Sequence, residues 1–422
     1  MLNKKRSGGY NMDIREAALK LHRDNQGKLA VASKVPLSSR HDLSLAYTPG
    51  VAEPCRDIKD NKELSFELTC RGNMIAVVSD GTRVLGLGDI GPEAAMPVME
   101  GKAVLFKVFG DVDAVPICLD TKDPNKIIET VKLLQPTFAG INLEDFSSPK
   151  CYDIEDALKE QMDIPVFHDD QHGTAIAAVS ALIGALRFVK KDLAAAKIIV
   201  NGAGAAGTAI GRLLVNAGAK NVIMVDIHGA LYQGMSGLNR IQTELAKVTN
   251  LTKLEGNLEF VAKNADALIG VSAPGSFTPE IIKNMNTDAI VIAMANPVPE
   301  ISYQDAKAAG ARVAGTGRSD APNQVNNVTV FPGVFRGAID VRARQINEAM
   351  KIAAVYAIAD LIPESELRED NIVPDAFDPR VAPAVAAAVA KAAMETGVAR
   401  IKVDPELIRK KTAERVKQNT LI

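Results

Sequence analysis

Apolar residues at 14, 17, 18 and 21 recur at a helical period, so the chain opens on a helix over 13–21. Short Val- and Ile-rich runs bounded by Gly or Asp then read as buried strands over 74–78, 104–109, 115–119, 140–143 and 166–167. Helical stretches at 126–134 and 154–161 lie between them, an alternation that predicts a mainly parallel sheet. Residues 173–188 (GTAIAAVSALIGALRF) are apolar nearly all round, the pattern of a buried helix crossing between two domains. A second alternation follows: strands over 197–200, 222–225, 267–271 and 289–293, with helices over 205–216, 238–249 and 279–284. That is a Rossmann-like order. Beyond Arg336 the pattern is helical, over 342–361 and 382–395, so the end of the chain is expected to pack back on a sheet.

The predicted fold is therefore α/β. An N-terminal domain spans 12–165, a Rossmann-like dinucleotide-binding domain 166–340 and a C-terminal helical region 341–422. A length of 422 residues agrees, at roughly 150 residues per domain. Hydrophobic residues at 47% and charged residues at 24% exclude wholesale disorder and collagen-like or coiled-coil architectures. Lys+Arg 49 against Asp+Glu 51, with no long single-sign block, gives nothing for a nucleic-acid backbone to bind. Cys55, Cys70, Cys118 and Cys151 stand apart with no CxxC pair, which argues against a disulfide framework and a structural zinc site. The basic opening segment lacks an apolar core, so it does not read as a secretory signal, Met12 is an alternative start, and no apolar stretch reads as a membrane span. A cytoplasmic protein is expected.

The sharpest local signal is GAGAAG at 202–207, placed between a strand and an apolar helix. Gly202 allows the tight turn, Gly204 lets a pyrophosphate approach the backbone, Ala205 and Ala206 open the helix, and Gly207 permits close packing. Asp226, at the end of the next strand, sits where an acid would accept a ribose 2′-OH. It would repel a 2′-phosphate, and no Arg or Lys follows at once, so NAD is favoured over NADP. The same glycine pattern recurs at Gly86, Gly88 and Gly91, but Pro92-Glu93 follows immediately. A turn needing positive φ competes there with a role in shaping a substrate pocket.

Carboxylates gather at two strand ends, Glu144-Asp145 and Asp169-Asp170. Converging oxygens would suit Mg²⁺ or Mn²⁺. Capping of the following helix by Asp170 competes, and neighbours on a regular strand face opposite ways, so Glu144 and Asp145 can converge only where the backbone leaves the sheet. His168 and His172 have helical spacing but lack the acidic partner of a zinc motif, and a zinc site is rejected. Spacing alone marks out neither Lys102 nor Tyr47.

Taken together, SLAYTPGVAEP (44–54), VSDGTRVLGLGDIG (78–91), PVMEGK (97–102), NLEDF (142–146), FHDDQHGT (167–174), GAGAAG (202–207) and NQVNNVTVFPG (323–333) resemble malic enzymes of the short bacterial and archaeal form. The resemblance runs through almost the whole chain. It implies metal-dependent oxidative decarboxylation of malate to pyruvate and CO₂ with reduction of NAD, NADP being the alternative. It further implies Lys102 as the base at the C2 hydroxyl, Tyr47 as the acid that protonates the enol, and Asp169 as the carboxylate orienting the lysine. Glu144, Asp145 and Asp170 match metal ligands, Arg83 a substrate carboxylate contact, and Asn296 and Asn327 amides near the nicotinamide. To act as base, a lysine that titrates near about 10.4 in isolation must be depressed toward roughly 7–8; burial near a cation does this, and Asp169 opposes it. The resemblance also implies a homodimer acting on a small molecule, without an additional domain of the kind that extends the long bacterial forms. The competing readings are a non-decarboxylating or malolactic relative and an NAD-sensing protein without catalysis.

Overall fold

The computed structural model describes residues 14–84 and 86–419. Residues 12 and 13, where the first domain and first helix are expected to begin, and the last three residues lie outside that range.

Four strands form the first sheet: β1 (Met74–Ser79), β2 (Asp113–Cys118), β3 (Gly140–Leu143) and β4 (Val166–His168), in the order β2-β1-β3-β4 and all parallel. Each crossover is helical, through Pro92–Gly110, Pro124–Leu133 and Lys150–Gln161. Ile75 to Val78 are wholly buried, as a parallel strand covered on both faces requires.

Two sequence expectations fail here. Residues 104–109 are not a strand but the end of the helix Pro92–Gly110. Ala95, Met99, Lys102, Ala103, Phe106 and Gly110 are its buried positions, a helical period that prevails over the β-propensity of the local Val-rich run. The boundary at 165 also shifts: Val166 pairs with Ile141, so β4 belongs to the first sheet and runs directly into the helix Asp169–Val189.

That helix is the predicted crossing element. It is long and apolar enough to cross a membrane, yet most of its surface is buried within the chain. It delivers the chain to β5 (Lys197–Asn201), β6 (Asn221–Asp226), β7 (Gly229–Ala230), β8 (Ala267–Gly270), β9 (Ile290–Ala293) and β10 (Val313–Thr316). Their order is β10-β9-β8-β5-β6-β7, parallel except for β7 against β6. This is the Rossmann-like arrangement, and the order reverses between β5 and β8, opening a crevice at their carboxyl ends.

The C-terminal helices Phe331–Asp340, Glu348–Ala359, Val381–Glu395 and Pro405–Asn419 return to the first domain and pack on Pro92–Gly110 and Asp169–Val189. The helix expected from 342 begins only at Glu348, because Arg342 takes a left-handed φ of 49° and Asn347 caps the new start by accepting the N–H of Met350.

Candidate active site

Lys102 lies on the buried face of Pro92–Gly110 and is only 8% exposed. Its Nζ donates to Asp169 Oδ2 at 2.7 Å, stands 2.9 Å from Glu144 Oε1 and sits 4.2 Å from the centroid of the Phe331 ring. Burial by itself would lower the lysine pKa, but Asp169 and Glu144 outweigh it and raise the pKa above the ordinary lysine value. In this arrangement the ammonium is the favoured form, opposite to the depression expected of a base.

The acids around it are crowded. Glu144 follows β3, and Asp145 turns the chain off the sheet with a left-handed φ of 58°, which lets two neighbouring acids point to one place. One oxygen each from Glu144, Asp145 and Asp170 lie within 4.8 Å of one another. Burial pushes the Glu144 carboxyl well up, with Lys102 opposing. Burial and the adjacent Asp170 raise Asp145 to about 7. Asp170 goes the other way: burial would raise it, but the hydrogen bond from His168 Nε2 at 3.1 Å and the N–H of Asp145 at 2.8 Å hold it low.

Asp145 Oδ2 and Asp169 Oδ1 are buried without a hydrogen-bond partner among the described residues. Such oxygens are costly unless something else satisfies them. An oxygen-only set of three acids, two fully buried, fits Mg²⁺ or Mn²⁺.

The support beneath these acids comes from elements far apart in sequence. Gln171 Nε2 lies 2.8 Å from His168 Nδ1 and donates to Glu155 Oε2 at 3.0 Å, so the imidazole presents its Nε2 side to Asp170. His172 points elsewhere, 2.8 Å from Glu155 Oε1, and burial drops its pKa to about 3. The two imidazoles therefore face different acids. Asp169 Oδ2 also accepts Asn327 Nδ2 at 2.6 Å. Gly173 leaves the space for Asp169, since a Cβ there would stand 1.8 Å from Asp169 Oδ1.

Across the cleft, Gly202 has φ 113° and a Cβ on it would meet the Val271 carbonyl at 2.5 Å, while one on Gly207 would strike the Gly202 carbonyl at 1.6 Å. Both positions require glycine. Gly204 has open space where its Cβ would be, and it precedes the helix Ala205–Asn216, whose start has no side-chain cap, as an anion-binding helix N-terminus allows. Asp226 Oδ1 accepts the N–H of His228 at 2.7 Å. This set fits a dinucleotide.

Gly86, Gly88 and Gly91 all have φ between 74° and 79°, so the glycine-turn reading holds. Leu85 within that turn lies outside the described residues. A Cβ on Gly86 would be 3.1 Å from Pro297, so this turn of the first domain abuts the loop carrying Asn296. Arg83 is exposed and its N–H binds the Asp145 carbonyl at 2.9 Å. Asn296 is exposed, while Asn327 is already engaged with Asp169.

Tyr47 is not brought in: it is 68% exposed, closes the short helix Arg40–Ala46 and has no hydrogen bond to its hydroxyl among the described residues. Phe331, Glu155, Gln171 and Glu300 escaped sequence reasoning. For Phe331 the signal was its place in the 323–333 block.

Residues 26–159 match the family model for the malic enzyme N-terminal domain and residues 171–394 that for the malic enzyme NAD binding domain. The chain is 59% identical over 402 residues to a bifunctional malic/malolactic enzyme of Bacillus subtilis, covering 95% of this chain and 98% of that one. It is 54% identical to an NAD-dependent malic enzyme of Geobacillus stearothermophilus, covering 89% of this chain and 78% of the relative. The crystal structure of a malic enzyme from Pyrococcus horikoshii superposes with a TM-score of 0.94 at 48% identity, covering 97% of each chain.

Proposed function

The chain belongs to the malic enzyme family, and from that premise we propose that it oxidatively decarboxylates (S)-malate to pyruvate and CO₂ with NAD⁺ as the preferred acceptor and Mg²⁺ or Mn²⁺ bound. It is an NAD- or NADP-dependent oxidoreductase. The observation that carries the reading is the meeting of Lys102 with Glu144, Asp145, Asp169 and Asp170 in a buried cluster joined through Asn327 to the dinucleotide-binding half.

A divalent ion held by Glu144, Asp145 and Asp170 would supply Lewis-acid stabilisation of negative charge on the substrate oxygen, and a dinucleotide held at Gly202–Gly207 and Asp226 would supply the hydride acceptor. The exposed guanidinium of Arg83, at the mouth of the cluster, holds a malate carboxylate. Asn296 and Asn327 supply amides to substrate and nicotinamide. Lys102 Nζ exchanges the proton of the C2 hydroxyl. Once the charge of Glu144 is engaged elsewhere, the ammonium keeps Asp169 as its one close counter-charge, and its pKa falls toward the range of a base. Asp169, fixed by Asn327 Nδ2, keeps the Lys102 nitrogen in place. The hydroxyl of Tyr47 then delivers a proton to C3 of the enol.

For Tyr47 to act, its arm must be covered. The helices Ile14–Asn25, Arg40–Ala46 and Ala52–Asp60 contain no buried residue, and Leu37, Leu45 and Tyr47 are largely exposed. A homodimer covers this face with a second copy. Four free cysteines suit a reducing cytoplasm, and Asp226 without a cationic neighbour disfavours a 2′-phosphate.

A malolactic reading has support from the Bacillus subtilis relative, which is named for both activities. Product analysis separates the two. With malate, Mn²⁺ and either NAD⁺ or NADP⁺, the proposal expects one CO₂ and one reduced cofactor per pyruvate, a preference for NAD⁺ and loss of turnover in EDTA. Lactate without net cofactor reduction selects the malolactic reading. Absence of malate-dependent turnover overturns both.

A further inference from the structure

Glu300 is fully buried in the loop after β9, and its carboxylate faces main chain instead of a cation. Oε1 accepts the N–H of Ser272 at 2.7 Å and the Ser272 hydroxyl at 3.3 Å; Oε2 accepts the N–H of Ala295 at 2.9 Å. Its own carbonyl accepts the N–H of Phe277 at 3.2 Å. Ser272 lies just past β8 and Ala295 just past β9. Ser272 Oγ in turn accepts Asn201 Nδ2 at 2.8 Å, from the last residue of β5. One acid thus ties the carboxyl ends of β8 and β9 directly and reaches β5, across the point where strand order reverses, only through the Ser272 hydroxyl.

The space for it is provided by sequence. A Cβ on Gly270 would stand 2.5 Å from Glu300 Cδ and 2.7 Å from Oε1. A buried carboxylate must be met by donors, and here main-chain N–H groups of two ligand-facing loops meet it. Asn296 directly follows Ala295, is exposed and makes no side-chain hydrogen bond among the described residues, so its direction is set by its backbone. The next residue, Pro297, abuts Gly86 of the opposite domain.

We propose that Glu300 is the positioning residue of the nicotinamide half of the cofactor site: by holding the N–H groups of Ser272 and Ala295 it fixes the β8 and β9 loops and presents Asn296 to the cleft. This rests on the malic enzyme reading and deepens it. The adenosine half, on Gly202–Gly207 and Asp226, lies on the other side of the reversal and meets Glu300 only indirectly, through the Ser272 hydroxyl and Asn201.

Glu300→Gln replaces one acceptor oxygen with an NH₂ that opposes a main-chain N–H, and Glu300→Asp withdraws the carboxylate by one methylene. The test compares NADH binding, followed by its fluorescence, with ADP-ribose binding by calorimetry, in protein without malate or metal. Glu300→Gln is expected to weaken NADH about tenfold or more and Glu300→Asp less, with ADP-ribose changed by no more than about twofold in either. Parallel loss of both ligands means a general structural role and overturns the proposal, as does unchanged NADH affinity. If Glu300→Gln does not fold, Glu300→Asp alone decides by the same comparison. Malate turnover by the unaltered protein is the separate control: its failure sinks the functional reading without touching the binding comparison.

Discussion

Lys102 has two carboxylates within 3 Å, an aromatic face above it and almost no water, and these neighbours determine what its nitrogen does with a proton. Removing the side chain leaves Asp169 and Glu144 without their shared cation and the C2 hydroxyl without a proton acceptor. Lys102→Ala is therefore expected to slow hydride transfer from malate by about 10²- to 10⁴-fold in single-turnover measurements, while NADH still binds. A near-normal rate would remove Lys102 from proton transfer. The four acids around Lys102 were visible in the sequence as two adjacent pairs, their convergence open on the condition that the backbone leave the sheet, which the left-handed turn at Asp145 meets. Glu300 was not legible at all, and Gln171 showed only as a member of the 167–174 block. The partners of Glu300 lie in loops that come together only in three dimensions, and a lone Glu carries no spacing signal.

At the level of elements, strand and helix assignments followed hydrophobic period closely except where tertiary packing overrode composition. Residues 104–109 look like a strand because they are Val-rich, yet their buried positions continue the period of the helix that begins at Pro92. The helix Asp169–Val189 was legible as a buried crossing element because it is apolar all round. It packs tightly against a distant segment at Gly184, where a Cβ would stand 2.0 Å from the Ile372 carbonyl, a main-chain atom with little freedom to move. Gly184→Ala gains helix propensity of up to about 1 kcal/mol but forces an overpacking cost of about 1–3 kcal/mol. A lower Tm with unchanged NADH affinity is expected in thermal scanning; a Tm equal to or above that of the unaltered protein would show that the helix and the Ile372 segment are not so tightly packed.

On the scale of the whole molecule, two parallel sheets turn their carboxyl ends toward one cleft, and the C-terminal helices lock the first sheet to the crossing helix. The alternation of strands and helices made both sheets predictable, whereas the exact division did not follow from it, because β4 flows into the crossing helix without a loop. The exposed arm carries Tyr47. If Tyr47 completes the site of the neighbouring copy, mixing Tyr47→Phe with Lys102→Ala protein, each inactive alone, should restore about a quarter of full activity. Half of the dimers are then mixed and one site in each is intact. No recovery after verified subunit exchange would assign Tyr47 to its own chain. The account as a whole stands on the cation site between Glu144, Asp145 and Asp170, and counting bound Mn²⁺ by electron paramagnetic resonance tests it most directly. The unaltered protein should take up one ion per chain, and Asp145→Asn should weaken that binding at least about tenfold with its circular dichroism unchanged; no stoichiometric uptake, or equal affinity in the variant, would contradict it.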